Sequence, residues 1–243
     1  MIIAAAREIR NGEVVFVGMR LPIVAFAVAR LTHAPDAVGF FECGVMRHQP
    51  AKSLLYTMGD PANQKDAAWL TGTLQLMGML QAGKVHAGFI GGAQIDRFGN
   101  INTSRIGKEG PEFTKLPGSG GAADIAAMSQ RLFSIMKHQR RRFVERVDYI
   151  TSSGYLDGGE SRHQAGLQRG GTAAVITDLG ILRPHSPSHE LHLASWHPGV
   201  TIEQIRQATG WALQTIADAT ETPAPSREEL QALREVDPEG FWS

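Results

Sequence analysis

Val38-Gly39-Phe40-Phe41-Glu42-Cys43-Gly44 carries an apolar run into a carboxylate and then a glycine turn. A short apolar run closed by a turn signal reads as a buried strand. Just before it, Ala34-Pro35-Asp36 is a turn, and Ile23 to Leu31 reads as a helix with Pro22 in its first turn. Further back, Val14-Val15-Phe16-Val17 is another apolar strand, stopped by Gly18. Strand, helix and strand at this spacing make a βαβ unit, whose strands are parallel and whose crossover is right-handed. Gly18 and Glu42 then open onto the same edge of the sheet. In open α/β sheets ligands bind just beyond the carboxyl ends of parallel strands. A carboxylate placed there, half removed from water, is poorly solvated and a better nucleophile or base than a surface one.

The rest of the chain continues the α/β alternation. Residues 3–11 read as a helix ending at Asn11-Gly12. A long helix is expected over about 63–82, with Trp69, Leu70, Leu74, Met77 and Leu80 as its core face. Ala87 to Ile90 reads as a buried strand, and Gln94 to Asp96 as a short extended piece. Arg97-Phe98-Gly99-Asn100 turns into Ile101-Asn102-Thr103. Residues 107–120 read as a polar loop, followed by a helix from Ala122 to about Arg131 and a strand over Leu132 to Met136. Strands are expected at Val147–Thr151, Ala173–Thr177 and Leu191–Ser195, with Asp178-Leu179-Gly180 turning into Ile181-Leu182. Thr201-Ile202-Glu203-Gln204 is a capping box for a helix to about Ala217, and Ser226 caps a final helix after a linker at 222–226. The expected architecture is a single domain, 1–243, with an open, mostly parallel sheet flanked by helices.

Composition narrows the function classes. Lys plus Arg (24) balance Asp plus Glu (24), so no global field draws the chain to nucleic acid or an anionic membrane. The single cysteine, Cys43, excludes an internal disulfide framework and suits a reducing cytoplasm. No segment has the apolar length of a membrane span, and Met1 to Arg10 reads as a short charged helix, not a signal peptide. A soluble cytoplasmic protein is expected.

A second candidate site is Gly118-Ser119-Gly120-Gly121-Ala122, a glycine cluster opening a helix. Glycines let backbone N–H groups approach an oxyanion or phosphate closely. The cluster also fits the dinucleotide fingerprint formally, but no buried strand precedes it and the acidic partner is missing. A tight structural loop is the plain alternative. Gln94 and Asn102, in the Gly91–Asn102 stretch, are candidates to present amides to a pocket, although turn chemistry accounts for most of that segment. Lys137 and Arg140 to Arg142 form the strong basic run and read as a solvated face. His185, His189 and His192 are too loosely spaced for a metal site, and no zinc spacing, nucleophile elbow or P-loop is present. Cys43 reads as a small filler in the turn beside Glu42.

In this order, these motifs resemble the B (β) subunit of the family I CoA-transferases, closest to the glutaconate CoA-transferase type. That family's strand-end glutamate lies in a Glu-Ser-Gly or Glu-Asn-Gly turn, matched by Glu42-Cys43-Gly44. Its Gly-Ser-Gly-Gly-Ala loop is matched by Gly118 to Ala122. The segments Asn11 to Val15, Gly91 to Asp96 with Gly99-Asn100, Arg141-Arg142-Phe143 and Asp148 to Ser152 are also similar. The resemblance runs from about residue 5 to 213.

The resemblance implies coenzyme A esters as substrates, no metal, and an A (α) subunit partner, with a heterotetramer as the assembly. It implies that Glu42 attacks the acyl-CoA carbonyl and carries CoA as a thioester, and that Gly118, Ser119, Gly120, Gly121 and Ala122 surround the thioester and its oxyanion. Cys43 stands where serine or asparagine is usual. Relatives that lose or replace the glutamate are acyl-CoA hydrolases opening rings, or decarboxylases, and these are the alternatives carried forward. With them goes a non-catalytic reading, a sensor that holds a phosphate on the glycine loop. Cys43, Gly44, Gln94, Asn102 and the loop Met46 to Thr57 are expected to shape the acyl pocket.

Overall fold

The structure is a computed structural model and describes residues 1–107, 110 and 113–243. Lys108, Glu109, Pro111 and Glu112, part of the expected loop 107–120, lie outside the described residues. Residues 1–90 form α1 (Ile2–Ala6), β1 (Val14–Phe16), α2 (Leu21–Leu31), β2 (Val38–Phe41), β3 (Val45–Arg47), α3 (Pro61–Gln64), β4 (Trp69–Leu70), α4 (Thr73–Gln81) and β5 (Ala87–Ile90). Residues 91–224 add β6 (Gln94–Ile95), β7 (Ile101–Asn102), β8 (Arg105–Ile106), β9 (Thr114–Lys115), α5 (Ala122–Met128), β10 (Arg131–Ile135), α6 (Ser161–Gln164), β11 (Thr172–Ile176), β12 (Gly180–His185), β13 (Glu190–Trp196), α7 (Ile202–Gln207) and β14 (Thr215–Glu221). α8 (Arg227–Val236) follows the prolines of the linker. The fold is α/β, in two compact units: residues 1–90 with 225–243, and residues 91–224.

In the first unit the strand order is β5-β1-β2-β3-β4. β1 pairs in parallel with β2, setting Val14, Val15 and Phe16 opposite Val38, Gly39 and Phe40, and in parallel with β5 on its other side. This is the βαβ unit read from the sequence, with α2 as its crossover. Gly39 interrupts the apolar run for a steric reason: a Cβ there would lie 2.7 Å from Cζ of Phe26. The Phe26 ring instead covers the bare backbone and meets Phe41 edge-on, at 6.2 Å between centroids. β3 and β4 then add antiparallel to β2.

α8 closes this unit against α2. Its capping box, Ser226 with Glu229, forms as expected. Glu229 has a second role that spacing did not reveal: both its oxygens accept from Arg7, Nε at 2.6 Å and Nη2 at 2.7 Å. Hydrogen bonding from Arg7 holds the Glu229 carboxyl down at about 2, from an ordinary 4.5. A depressed carboxyl contributes stability above its unfolded pKa and loses it as the pH falls through the folded value. Glu229→Gln is therefore expected to cost about 2 kcal/mol at pH 7. The gap from wild type should close between pH 4.5 and about 2, as measured by urea denaturation.

In the second unit β10 and β11 are parallel, β11-β12-β13 are antiparallel, and β14 returns parallel to β13. Phe133, Val175, Leu182 and Leu193 are fully buried between these strands and their coverings. Just after β10, His138 is buried and stacked on Phe143 at 3.8 Å. Its Nδ1 lies 3.2 Å from the Thr177 hydroxyl and its Nε2 3.0 Å from the Thr209 hydroxyl. Desolvation pushes the imidazole pKa from 6.5 down to about 4, against the attraction of Asp178. The unfolded chain thus binds a proton in the pH window from about 4 to 6.5 that the folded chain refuses. Stability is expected to fall on acidification across that window, by up to about 3 kcal/mol. His138→Gln should remove this slope in denaturation curves recorded at successive pH values.

Several expected elements differ. The helix over 63–82 is instead α3, β4 and α4. Asp66 adopts φ 58° and breaks the helical run, and Trp69–Leu70 is drawn into antiparallel pairing with Met46 and Val45. Trp69, Leu70 and Leu74 are exposed, and α4 packs through Leu76 and Leu80. The N-terminal helix stops at Ala6, and the helix from Ala122 stops at Met128. The helix from Thr201 ends at Gln207 and not near Ala217, because Gly210 must approach Phe143: a Cβ there would lie 2.4 Å from the Phe143 carbonyl oxygen. The β-branched Thr215, Ile216 and Thr220 then form β14. Val147–Thr151 forms no strand; its neighbourhood has only isolated bridges, at Phe143 and Ser152.

Candidate active site

Glu42, Cys43 and Gly44 make the turn between β2 and β3. The turn closes through the Gly44 N–H donating to the Phe41 carbonyl at 2.9 Å. Glu42 is half-buried, as its place at the end of a parallel strand requires. Gly44 is buried with φ +96°, and a Cβ there would lie 2.1 Å from the Thr71 carbonyl oxygen. Only glycine allows the β4–α4 connection to come this close. That connection also holds the turn: Thr71 N–H donates to the Gly44 carbonyl at 2.8 Å, and the Thr73 hydroxyl to the Glu42 carbonyl at 2.8 Å.

Cys43 is exposed as a residue, yet its thiol donates to the Met58 carbonyl at 3.1 Å. Partial desolvation of the sulfur raises its pKa, and the adjacent Glu42 charge adds to this. The group stays a thiol at neutral pH, and a thiol is a far weaker nucleophile than a thiolate. Met58 belongs to the long connection between β3 and α3. Arg47, 2% exposed, anchors that connection with its guanidinium, donating to the carbonyls of Gln49 (2.8 Å), Pro50 (3.3 Å), Asn63 (2.6 Å) and Lys65 (2.8 Å).

In the second unit, Gly118 to Ala122 leads into the short α5. Gly118 and Gly120 take positive φ, +99° and +49°. The Gly118 N–H donates to the Thr103 carbonyl at 2.8 Å and the Ala122 N–H to the Ser119 carbonyl at 2.9 Å. Ser119 and Gly120 are exposed, and their N–H groups have no partner among the described residues. Exposed backbone N–H groups of this kind are able to donate to an anion.

Gln94 and Asn102 face each other across the β6–β7 hairpin. Both are buried, and their amides bond to each other: Asn102 Nδ2 donates to Gln94 Oε1 at 2.7 Å. Gln94 Nε2 donates to Asp148 Oδ2 at 3.0 Å, and Asn102 Oδ1 accepts from the Ser104 N–H at 3.0 Å. The hairpin shapes residues 103–104, whose carbonyls accept from Gly118 and Leu116. Gln94 and Asn102 therefore sit beneath the glycine loop as its support. Thr73 was not singled out in the sequence, since it acts on a carbonyl 31 positions away along the chain. Among the described residues no group of three His, Cys, Asp or Glu side chains could hold a metal ion, and no helix is long and apolar enough to cross a membrane.

The first unit thus presents a strand-end carboxylate and the second a glycine-rich loop with exposed amides, both on an α/β scaffold. The model of the coenzyme A transferase family matches residues 1–208, and the chain belongs to that family. It is 43% identical to the B-type chain of the 3-oxoadipate CoA-transferase of Pseudomonas knackmussii, over 98% of this chain and 91% of that one. The crystal structure of glutaconate coenzyme A-transferase from Acidaminococcus fermentans superposes with a TM-score of 0.91 at 32% identity, covering 99% of this chain and 94% of that chain. The cholesterol ring-cleaving hydrolase IpdB subunit of Rhodococcus jostii is 29% identical over 89% of this chain and 81% of its own length.

Proposed function

We propose that this chain is the B subunit of a cytoplasmic CoA-transferase that moves CoA from an acyl-CoA to a carboxylic acid through a thioester on Glu42. The observation that carries it is the half-buried Glu42 at the end of parallel β2, beside a thiol that remains protonated, in a chain of the coenzyme A transferase family. The Glu42 carboxylate attacks the thioester carbonyl, forming a mixed anhydride and releasing CoA thiolate. The thiolate then attacks the glutamyl carbonyl, giving glutamyl-CoA and freeing the first acid. A second carboxylate attacks glutamyl-CoA and the sequence runs backward, so that CoA departs on the new acid. Each step exchanges one activated carbonyl for another, so little free energy is lost provided water is kept out. Gly118 to Ala122 form the loop that binds an oxyanion or phosphate of the CoA ester, with the exposed N–H groups of Ser119 and Gly120 as donors and Gln94 and Asn102 holding the loop. The functional assembly is a heterotetramer with an A subunit, the whole chain acting as one subunit. The two transferase relatives are named for 3-oxoadipate and glutaconate, both dicarboxylates, and a dicarboxylic acid is the acceptor class that fits this kinship.

A second reading, an acyl-CoA hydrolase or C–C cleaving or decarboxylating enzyme with Glu42 as general base, is favoured by the kinship to the ring-cleaving hydrolase. The two separate in one experiment. The chain is co-expressed with its A-type partner, mixed with acyl-CoA and reduced with borohydride. A thioester on Glu42 becomes an alcohol, so the tryptic peptide of residues 31–47 loses one oxygen and gains two hydrogens. An unchanged peptide during turnover, or free CoA released at full rate with no acceptor acid, supports the second reading instead.

A further inference from the structure

Residues 48–60, between β3 and α3, form no helix or strand. Long connections without structure of their own tend to be functional. This one is nonetheless tied down throughout. Arg47 fixes its start through the carbonyls of Gln49 and Pro50. Near its end the Asp60 carboxylate accepts from the N–H groups of Tyr56 (2.7 Å) and Thr57 (3.1 Å), and Asn63 Nδ2 donates to the Met58 carbonyl at 2.6 Å. The same Met58 carbonyl takes the Cys43 thiol, one residue past Glu42.

The middle is held by the segment after α8. Trp242 Nε1 donates to the Leu55 carbonyl at 3.1 Å, and the Phe241 ring meets Tyr56 edge-on at 5.0 Å. This aromatic pair is built for its position. The buried Asp237 carboxylate accepts from the N–H groups of Phe241, Trp242 and Ser243, each at 2.8 Å, folding the segment into a tight turn. Under the connection lies a cavity of about 20 Å³, room for about one water, lined by Phe26, Phe41, Leu54, Leu55 and Val236. Apolar packing therefore continues from the strand that ends in Glu42, through Leu55, to the end of α8. Phe241 and Trp242 lie beyond residues 1–208, the part matched by the family model.

We propose that Phe241 and Trp242 are positioning residues that clip residues 53–58 in place, and that the clipped segment sets which acyl groups reach Glu42. The inference rests on Glu42 being the acyl-handling residue. The clip holds a segment whose Met58 already contacts the Glu42 turn, so loosening it enlarges and blurs the pocket without removing the nucleophile. A side chain that merely adds stability would leave the ratio of activities on different acyl-CoAs unchanged. The clip predicts that the ratio itself moves.

The test uses the co-expressed complex with Phe241→Ala, Phe241→Tyr and Trp242→Phe, assayed on a short and a bulky acyl-CoA. Phe241 is 56% exposed, so its removal leaves the core intact, and Trp242→Phe keeps a ring while deleting the donor to Leu55. Phe241→Ala and Trp242→Phe are expected to change the kcat/KM ratio between the two substrates by about fivefold or more, mainly through KM. Phe241→Tyr restores the wild-type ratio, and Glu229→Gln, which loosens α8 elsewhere, leaves it unchanged. Hydrogen exchange of residues 53–58 should rise in the first two variants alone. Unchanged ratios in folded, assembled Phe241→Ala and Trp242→Phe overturn the clip. The borohydride label is read on the wild-type complex in parallel. Its absence removes the thioester but leaves the clip to be judged by the same substrate ratio, on whatever acyl-CoA turnover the complex shows.

Discussion

Glu42→Gln is expected to lower CoA transfer by at least about a thousandfold while leaving the fold and the partner assembly in place. The substitution keeps the size of the side chain and its half-buried position at the end of β2. It removes the charge and the second oxygen that make a nucleophile. An amide cannot form the anhydride, so no glutamyl-CoA accumulates and borohydride leaves the peptide of residues 31–47 unchanged. The neighbouring sulfur offers no bypass, since desolvation and the Glu42 charge keep Cys43 protonated and its hydrogen is directed to Met58. The variant should still bind acyl-CoA, so KM stays near wild type while kcat collapses. Retained transfer would remove the covalent mechanism. Retained CoA release with no transfer would identify Glu42 as dispensable in a hydrolase. Transfer is measured with paired acyl-CoA and acid, and assembly by size-exclusion chromatography.

The βαβ unit was legible because local signals and tertiary outcome agree there. Val14–Phe16 and Val38–Phe41 are apolar runs bounded by turns, and Pro22 marks the start of α2. Both capping boxes formed for the same reason: a cap is a contact over three residues and needs nothing distant. Residues 63–82 failed because their apolar spacing is compatible with a helix while pairing with β3 outweighs that preference. Trp69 and Leu70 thus pass from expected core to exposed strand. Residues 208–217 failed because a glycine that looks innocuous along the chain is required by the backbone at Phe143, a contact no local pattern encodes.

The site divides along the same line. The turn at Glu42 to Gly44 was readable as a turn, since strand, carboxylate and glycine are adjacent and the contact that closes it is local. The groups that hold that turn were not. Thr73 reaches the Glu42 carbonyl across 31 positions, and Arg47 serves carbonyls on both sides of a long connection. A threonine hydroxyl and an arginine carry no pattern that says which carbonyl they will find. Gln94 and Asn102 were picked out as amides, and geometry supplies what spacing could not: they face each other across a hairpin and support the glycine loop.

Gly44→Ala is expected to destabilise the protein by about 2–4 kcal/mol and to reduce transfer by about a hundredfold in the fraction that folds. Gly44 lies at φ +96°, where an L side chain is strained, and the new methyl would stand 2.1 Å from the Thr71 carbonyl oxygen and 2.8 Å from its carbon. Both are backbone atoms, so the clash cannot be relieved by turning a side chain. Either the turn opens or Thr71 to Thr73 retreat. Retreat pulls the Thr73 hydroxyl from the Glu42 carbonyl, and opening moves Glu42 itself, so each route displaces the carboxylate. Displacement of about 1 Å costs a positioned nucleophile roughly a hundredfold. The same logic distinguishes a positioning effect from simple instability. Thr73→Val deletes the hydroxyl without any clash, so it should lower kcat at nearly wild-type stability, whereas Gly44→Ala lowers both. Urea denaturation and kcat measured on the same preparations separate the two. Wild-type kcat in a stably folded Gly44→Ala variant would show that the turn need not be tight for Glu42 to act.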